Sequence, residues 1–231
     1  MSRFTSRSLI LGAWLLLAPS LRGISEEPPS KEEKYRKLVQ QLVSPNKEAV
    51  TRNRSRGSVK FPAEYDVKAQ LQIEAARQTL FDNFEDALPY LVEALGDERY
   101  CMTINWADGD AYYNHSVGAI CHNVIASQLE VYREKMRFSG PPHWHRYDYR
   151  PISKEWWQAR KGRSLPELQI EAINWALERR MVESKTNIDE RGKNEISELQ
   201  KLRDEITNSG KPAKPQRQRL YQMVTSDKGR L

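Results

Sequence analysis

The chain has 231 residues, 29% of them charged, and its two ends carry more than the whole of its formal net charge of +6. Residues 1–23 hold Arg3, Arg7 and Arg22 with no acid, and residues 210–231 set six basic residues against Asp227, so the span between them is slightly acidic. That distribution excludes a broadly basic nucleic-acid-binding body, no nucleic-acid recognition motif is present, and the length after residue 23 suffices for one good core or two small ones.

Arg3 and Arg7 precede an apolar run, Leu9 to Ala18, broken by Gly12 and followed by small residues at Ala18–Ser20 and Gly23. This reads as a cleaved secretory signal over residues 1–23, too short for a lasting membrane anchor. No cysteine lies near the cleavage region to carry a lipid. The expected location is therefore secreted or periplasmic, without a stable membrane anchor. Residues 24–209 read as a single helical domain. Residues 210–231, rich in Lys, Pro and Gln, read as a basic disordered tail.

Ser30-Lys31-Glu32-Glu33 is a capping box, and Tyr35, Leu38, Val39 and Leu42 then fall on one helical face. Pro45 ends or restarts that helix, with Ser44 as a cap. Residues 51–60 (TRNRSRGSVK) read as an exposed basic loop. A helix is expected from about Glu64 to Asp82 with the stripe Ala69, Ile73, Ala76 and Leu80. Asn83 caps a partner helix from about Glu85 to Leu95, Pro89 sits near its first turn, and Gly96 supplies a left-handed stop. The segment QIEAARQTLFDNFEDALPYLVEALGDERY, with its AAR run, tight turn, early proline and GD ending, resembles one HEAT-type unit over about residues 64–98. The resemblance implies a helical partner-binding surface and carries over no catalytic residue. No second copy follows at the period of about 40 residues that such repeats keep.

Tyr100 to Trp106 and Ala111 to Asn114, joined across Asp108-Gly109, read as a β-hairpin over about residues 100–114. Helix resumes near Ser116 and is expected to reach Phe138, with Val117, Ile120, Cys121, Val124, Ile125, Leu129 and Tyr132 inward. Gly140-Pro141-Pro142 breaks it, and about residues 140–151 form an extended aromatic segment. A short helix holds Trp156 and Trp157, which cannot both face inward. A second capping box, Ser164-Leu165-Pro166-Glu167, opens a helix to about Val182. A last helix carrying Ile196, Leu199, Leu202 and Ile206 packs back on it. The fold class is mainly α: a compact body of helical hairpins, HEAT-like in its first half, with one inserted β-hairpin.

All four histidines and both cysteines lie between Cys101 and His145. His115 and His122 share a face if both are helical, and His143 and His145 share one side of an extended segment. Four such imidazoles suit Zn²⁺ or Cu²⁺. The competing reading gives each histidine a separate packing or capping role. Cys101 and Cys121 form either a disulfide, which export favours, or two separate buried thiols. Asn105 to Asp110 lacks the later ligands of a calcium loop and reads as a turn. Asn53-Arg54-Ser55 and Asn114-His115-Ser116 match the glycosylation pattern.

Trp106, Trp144, Trp156 and Trp157 concentrate in the same middle region with Tyr147 and Tyr149. They either seal the hairpin against the helices or present rings to a ligand. Trp144, Tyr147, Tyr149 and Trp157 are the candidate ligand contacts. No GxSxG elbow, phosphate loop or protease-type Cys–His arrangement occurs, and Ser44–Lys47 matches SxxK without its usual companions. The expectation is an exported non-enzymatic binding protein for a protein or glycan. The alternative is a metal-dependent enzyme or metal carrier built on His115, His122, His143 and His145.

Overall fold

The computed structural model describes residues 29–52, 58–106, 112–132, 152–184, 190–215 and 221–223. The chain is mainly α. Its helices are α1 (Lys31–Gln40), α2 (Val67–Asp82), α3 (Phe84–Glu93), α4 (Val117–Leu129), α5 (Lys154–Gln158), α6 (Leu165–Ser184) and α7 (Glu190–Ser209), with two small antiparallel sheets. One sheet pairs β1 (Val50–Arg52) with β2 (Ser58–Lys60). The other has the order β4-β3-β5, with β3 at Tyr100–Trp106, β4 at Tyr112–Ser116 and β5 at Tyr221–Met223.

Three helix starts, those of α1, α4 and α6, follow their sequence signals. Ser30 Oγ accepts from the Glu33 amide at 3.1 Å and starts α1. Asp66 accepts from the Ala69 amide and starts α2 at Val67, three residues later than the periodicity predicts. Ser116 caps α4 through Ala119. At α6 the reverse half of the capping box forms, with Glu167 accepting from both the amide and the hydroxyl of Ser164. Those bonds hold the Glu167 carboxyl below its ordinary range.

Three local expectations are corrected. Asn83 stands at the start of α3, but its side chain donates back to the Thr79 carbonyl and does not cap the new helix. Pro89 lies in the second turn of α3, not the first, and α3 ends at Glu93. Gly96 is not left-handed: among the described residues the positive φ values belong to Gly162 and Gly210. The chain instead leaves α3 through Ala94, whose φ of −89° and ψ of 1° need no glycine.

One apolar core joins the helices to the inner face of β3. It gathers Tyr35, Leu42, Leu80, Leu91, Ile120, Ile125, Leu168 and Ile173, with Met102 and Ile104 supplied by the strand. Trp156 is buried in this core, while Trp157 is half-buried at its margin, as adjacent helical positions require. Helices α6 and α7 form the expected hairpin through Leu199, Leu202 and Ile206, and Arg180 meets the buried Glu195 across it at 2.5 Å. Among the described residues no helix is long and apolar enough to cross a membrane.

The strands depart furthest from the sequence reading. Where an exposed loop is expected at residues 51–60, β1 and β2 pair antiparallel with Thr51 opposite Val59, and Val59 is buried against Ala49 beside Phe61 and Tyr112. The helix after β4 ends at Leu129, with Glu130 turning away at ψ 46°. The segment expected to continue it, residues 133–138, and the aromatic stretch at 140–151 lie outside the described residues. The tail is also structured where it is described. Gly210 takes φ +63° at the end of α7, Ala213 packs on the core, and residues 221–223 form β5.

Candidate functional site

Strand β3 is the element that organises the polar chemistry of the molecule. Side chains alternate across a strand, so Met102 and Ile104 enter the core while Thr103 and Asn105 occupy the opposite face. Asn114 stands opposite Thr103 and Tyr112 opposite Asn105 in the antiparallel register. The β1–β2 sheet reaches this face through Tyr112.

A chain of hydrogen bonds runs along that face. Gln70, fully buried on α2, donates from Nε2 to the Cys101 carbonyl at 2.8 Å. Its Oε1 accepts from Ser44 Oγ at 3.1 Å and from the Tyr65 hydroxyl at 3.0 Å. The Tyr65 hydroxyl lies 3.2 Å from that of Tyr100, which lies 2.8 Å from Thr103 Oγ1. Thr103 donates to Asn114 Oδ1 at 2.8 Å, and Asn114 Nδ2 donates to the Ala49 carbonyl and to Glu48. The relay therefore ties α2, β3, β4 and the segment before β1 into one unit.

Proton counting gives the relay its character. The amide orientations of Gln70 and Asn114 are fixed, because each must donate to a backbone carbonyl. Between their two oxygens stand three hydroxyls and four contacts, so three protons serve four links. Ser44 relieves the shortage by giving Gln70 Oε1 a separate donor. Burial pushes the Tyr65 hydroxyl far above its ordinary pKa, and its bond to Tyr100 adds to this. Burial likewise raises Tyr100. Both remain neutral donors and neither is poised to act as a base.

Asn105 differs from its neighbours on this face. It is 5% exposed, yet its Oδ1 has no hydrogen-bond partner. Its cross-strand neighbours are Tyr112 on β4 and Gln222 on β5. A buried acceptor left without a donor is costly, and His115 Nε2 on β4 of the same sheet is likewise buried without a hydrogen-bond partner.

The sequence candidates fall into three groups. Trp144, Tyr147, Tyr149, His143 and His145 lie outside the described residues. Trp157 is half-buried on α5, next to a cluster in which Arg160 stacks over the Trp156 ring and forms a 2.7 Å ion pair with Glu171. His115 and His122 do not share a helical face, because His115 belongs to β4, opposite Met102, and His122 to α4. His115 Nε2 is buried without a hydrogen-bond partner, and burial lowers its pKa. Among the described residues no three His, Cys, Asp or Glu side chains are grouped to hold a metal ion.

Cys101 and Cys121 are both buried as free thiols in the common core, not joined as a disulfide. Burial pushes both thiols up, Cys121 to about 12, so neither is an activated nucleophile. Ser44 is not a helix cap: its amide donates to the Tyr100 carbonyl and its hydroxyl belongs to the relay. Asn114 has its amide nitrogen, the atom a glycan would occupy, bonded to Ala49 at 2.8 Å.

Gln70, Tyr65 and Thr103 are not among the sequence candidates, although two signals point to this face. Gln70 precedes Ile73 by three residues and so interrupts the apolar stripe of α2 with a polar group. Thr103 and Asn105 alternate on one face of a strand whose other face is apolar. Comparison with protein-family models, curated proteins and solved structures finds no match to this chain.

Proposed function

We propose that this chain is an exported, non-enzymatic binding protein that engages a protein partner through its small sheet and the helical surface around it. The observation that carries this reading is the pairing of β5 with β3, in which a segment from the far end of the chain adds a third strand to the hairpin. An edge that accepts one extended segment offers the same backbone donors and acceptors to another. The relay behind β3 supports the reading by holding that strand in one conformation, which lowers the ordering cost of binding. The α2–α3 pair, resembling a HEAT unit, would border the interface. The basic and apolar N-terminal segment supports export.

Isothermal titration of the purified chain with a set of extended peptides and a set of oligosaccharides tests this. Saturable binding of peptides, with ΔCp negative as apolar surface is buried, is the expected result. Saturable binding of oligosaccharides with no peptide binding would replace it by a glycan-binding reading centred on Trp157.

A further inference from the structure

We infer that the β1–β2 hairpin is a basic docking arm whose partner is an acidic extended segment of another protein, paired along β2. This rests on the binding reading above for a protein partner, and adds a second sheet and the charge of what that sheet meets.

Charge singles the arm out. Residues 47–60 set Lys47, Arg52, Arg54, Arg56 and Lys60 against Glu48, a net of +4. Residues 24–209 sum to −2, so outside this stretch they carry −6. The acids nearest in sequence do not neutralise the arm. Glu48 accepts from Asn114, and neither Glu48 nor Glu64 forms an ion pair among the described residues. Lys47 and Lys60 are exposed and form none either. A positive arm on an otherwise acidic body attracts negative charge and orients it.

The neck of the arm is fixed. Asn46 grips Asp66 by both backbone groups, accepting from its amide at 2.7 Å and donating to its carbonyl at 3.0 Å. Asn114 donates to the Ala49 carbonyl, and Val59 is buried against Ala49. With Val59 on the buried face, strand alternation puts Val50 and Lys60, which stand opposite each other, on the outer one. Val50 is 61% exposed there. The strands are thus held in place before any partner arrives, which lowers the ordering cost of binding.

The edge selects the class of partner. Among the described residues β2 pairs with β1 alone, so its other side keeps unpaired N–H and C=O groups. A second copy of the arm would bring like charges together, which disfavours self-pairing. A lipid surface or a polyanion meets the charge but not the ladder. An extended acidic segment meets both, with an acid opposite Lys60.

The test uses the full chain and a fluorescently labelled peptide alternating Glu with Val, with the same peptide carrying Lys for Glu as control. A second protein carries Arg54→Glu, Arg56→Glu and Lys60→Glu. Fluorescence anisotropy is expected to show the acidic peptide binding the unaltered chain about tenfold or more tightly than the charge-reversed one, and more weakly as salt rises. Hydrogen exchange in residues 58–60 of the unaltered chain should slow when that peptide is added.

Equal binding of the acidic peptide by the two proteins would overturn the assignment. So would equal binding of the acidic and basic peptides by the unaltered chain, or exchange at 58–60 that the bound peptide leaves unchanged. Binding of phosphatidylserine vesicles without the acidic peptide would also overturn it and assign the charge to an anionic surface. If other extended peptides bind and the acidic one does not, the arm fails while the binding reading stands; if no peptide binds, both fail. Should the charge-reversed protein not fold, Arg54→Gln with Arg56→Gln replaces it and is expected to bind the acidic peptide several-fold more weakly than the unaltered chain.

Discussion

Gln169 and Ala213 are joined as one amide to another: Ala213 donates its N–H to Gln169 Oε1 at 2.9 Å, and Gln169 Nε2 donates to the Ala213 carbonyl at 3.0 Å. Nε2 also donates to the Gln128 carbonyl at 2.8 Å, so one buried side chain links α6, the end of α4 and the tail. This contact docks Ala213, which lies in the stretch expected to be disordered, against the helical body.

Replacing Gln169 by Leu should therefore act in two places. Three hydrogen bonds go and buried backbone groups lose their partners, which predicts a loss of about 2–4 kcal/mol in urea unfolding. The Ala213 amide should exchange its hydrogen with solvent far faster than in the unaltered chain, measured by mass spectrometry. An unchanged exchange rate at Ala213 would mean that other contacts hold the tail.

Gln70 carries the relay between α2 and β3. Gln70→Leu fits the apolar surroundings but leaves the Cys101 carbonyl without its donor, for an expected loss of about 3 kcal/mol. Gln70→Glu should be worse at neutral pH, because it aims a carboxylate oxygen at that carbonyl. Chemical denaturation of both variants checks the order. A Gln70→Glu protein as stable as Gln70→Leu would remove the case for a fixed amide orientation.

Gly118 lies in the first turn of α4, where the backbone of residues 94–99 crosses it. The Val117 and Gly118 amides donate to the carbonyls of Arg99 and Asp97, which locks the approach. A Cβ at 118 would stand 2.4 Å from the Leu95 oxygen and 2.9 Å from its carbonyl carbon, both backbone atoms that cannot rotate away. Helix propensity favours alanine by about 1 kcal/mol, but the clash outweighs it, and Gly118→Ala should lose about 1–3 kcal/mol net. A thermal melt of this variant at or above the unaltered Tm would contradict the close packing.

His115 predicts a pH dependence with a definite sign. Burial lowers its folded pKa below the ordinary 6.5, so the folded state favours the neutral ring. The contribution is complete above the unfolded value and is lost as pH falls from about 6.5 through the folded value, since the unfolded chain there binds the extra proton. The slope in that window is at most about 1.4 kcal/mol per pH unit. His115→Gln should flatten the stability profile below about pH 6.5 in denaturant titrations, and an unchanged profile would assign the slope elsewhere.

The helical half of this protein is legible because its signals are local. The stripes in α1, α2, α6 and α7, and the capping residues Ser30, Ser116 and Ser164, each act within a turn or two of chain. The hairpin at Tyr100–Ser116 is legible for the same reason, since alternation and a turn signal lie close together. Strand β1–β2 was hidden because Val59 is the one apolar residue in a basic stretch, and a single residue sets no period. Strand β5 was hidden because three residues carry no pattern of their own and gain their conformation from β3, far away in sequence.

The candidate site divides along the same line. Sequence by itself determined the class: a mainly helical body, charged at its ends, with polar residues alternating on one strand. It could not tell that Gln70, Tyr65, Tyr100, Thr103 and Asn114 meet, because hydrogen bonds across 11 to 35 residues depend on how helices and sheet pack. Nor could it separate His115 from His122, whose spacing suits a helix that β4 replaces. Tertiary structure alone decided that Cys101 and Cys121 are buried thiols, that Ala213 docks on Gln169, and that residues 221–223 pair with β3. The physical reason is that side-chain periodicity fixes which face of an element is apolar, whereas the partner of that face is chosen by the whole core at once.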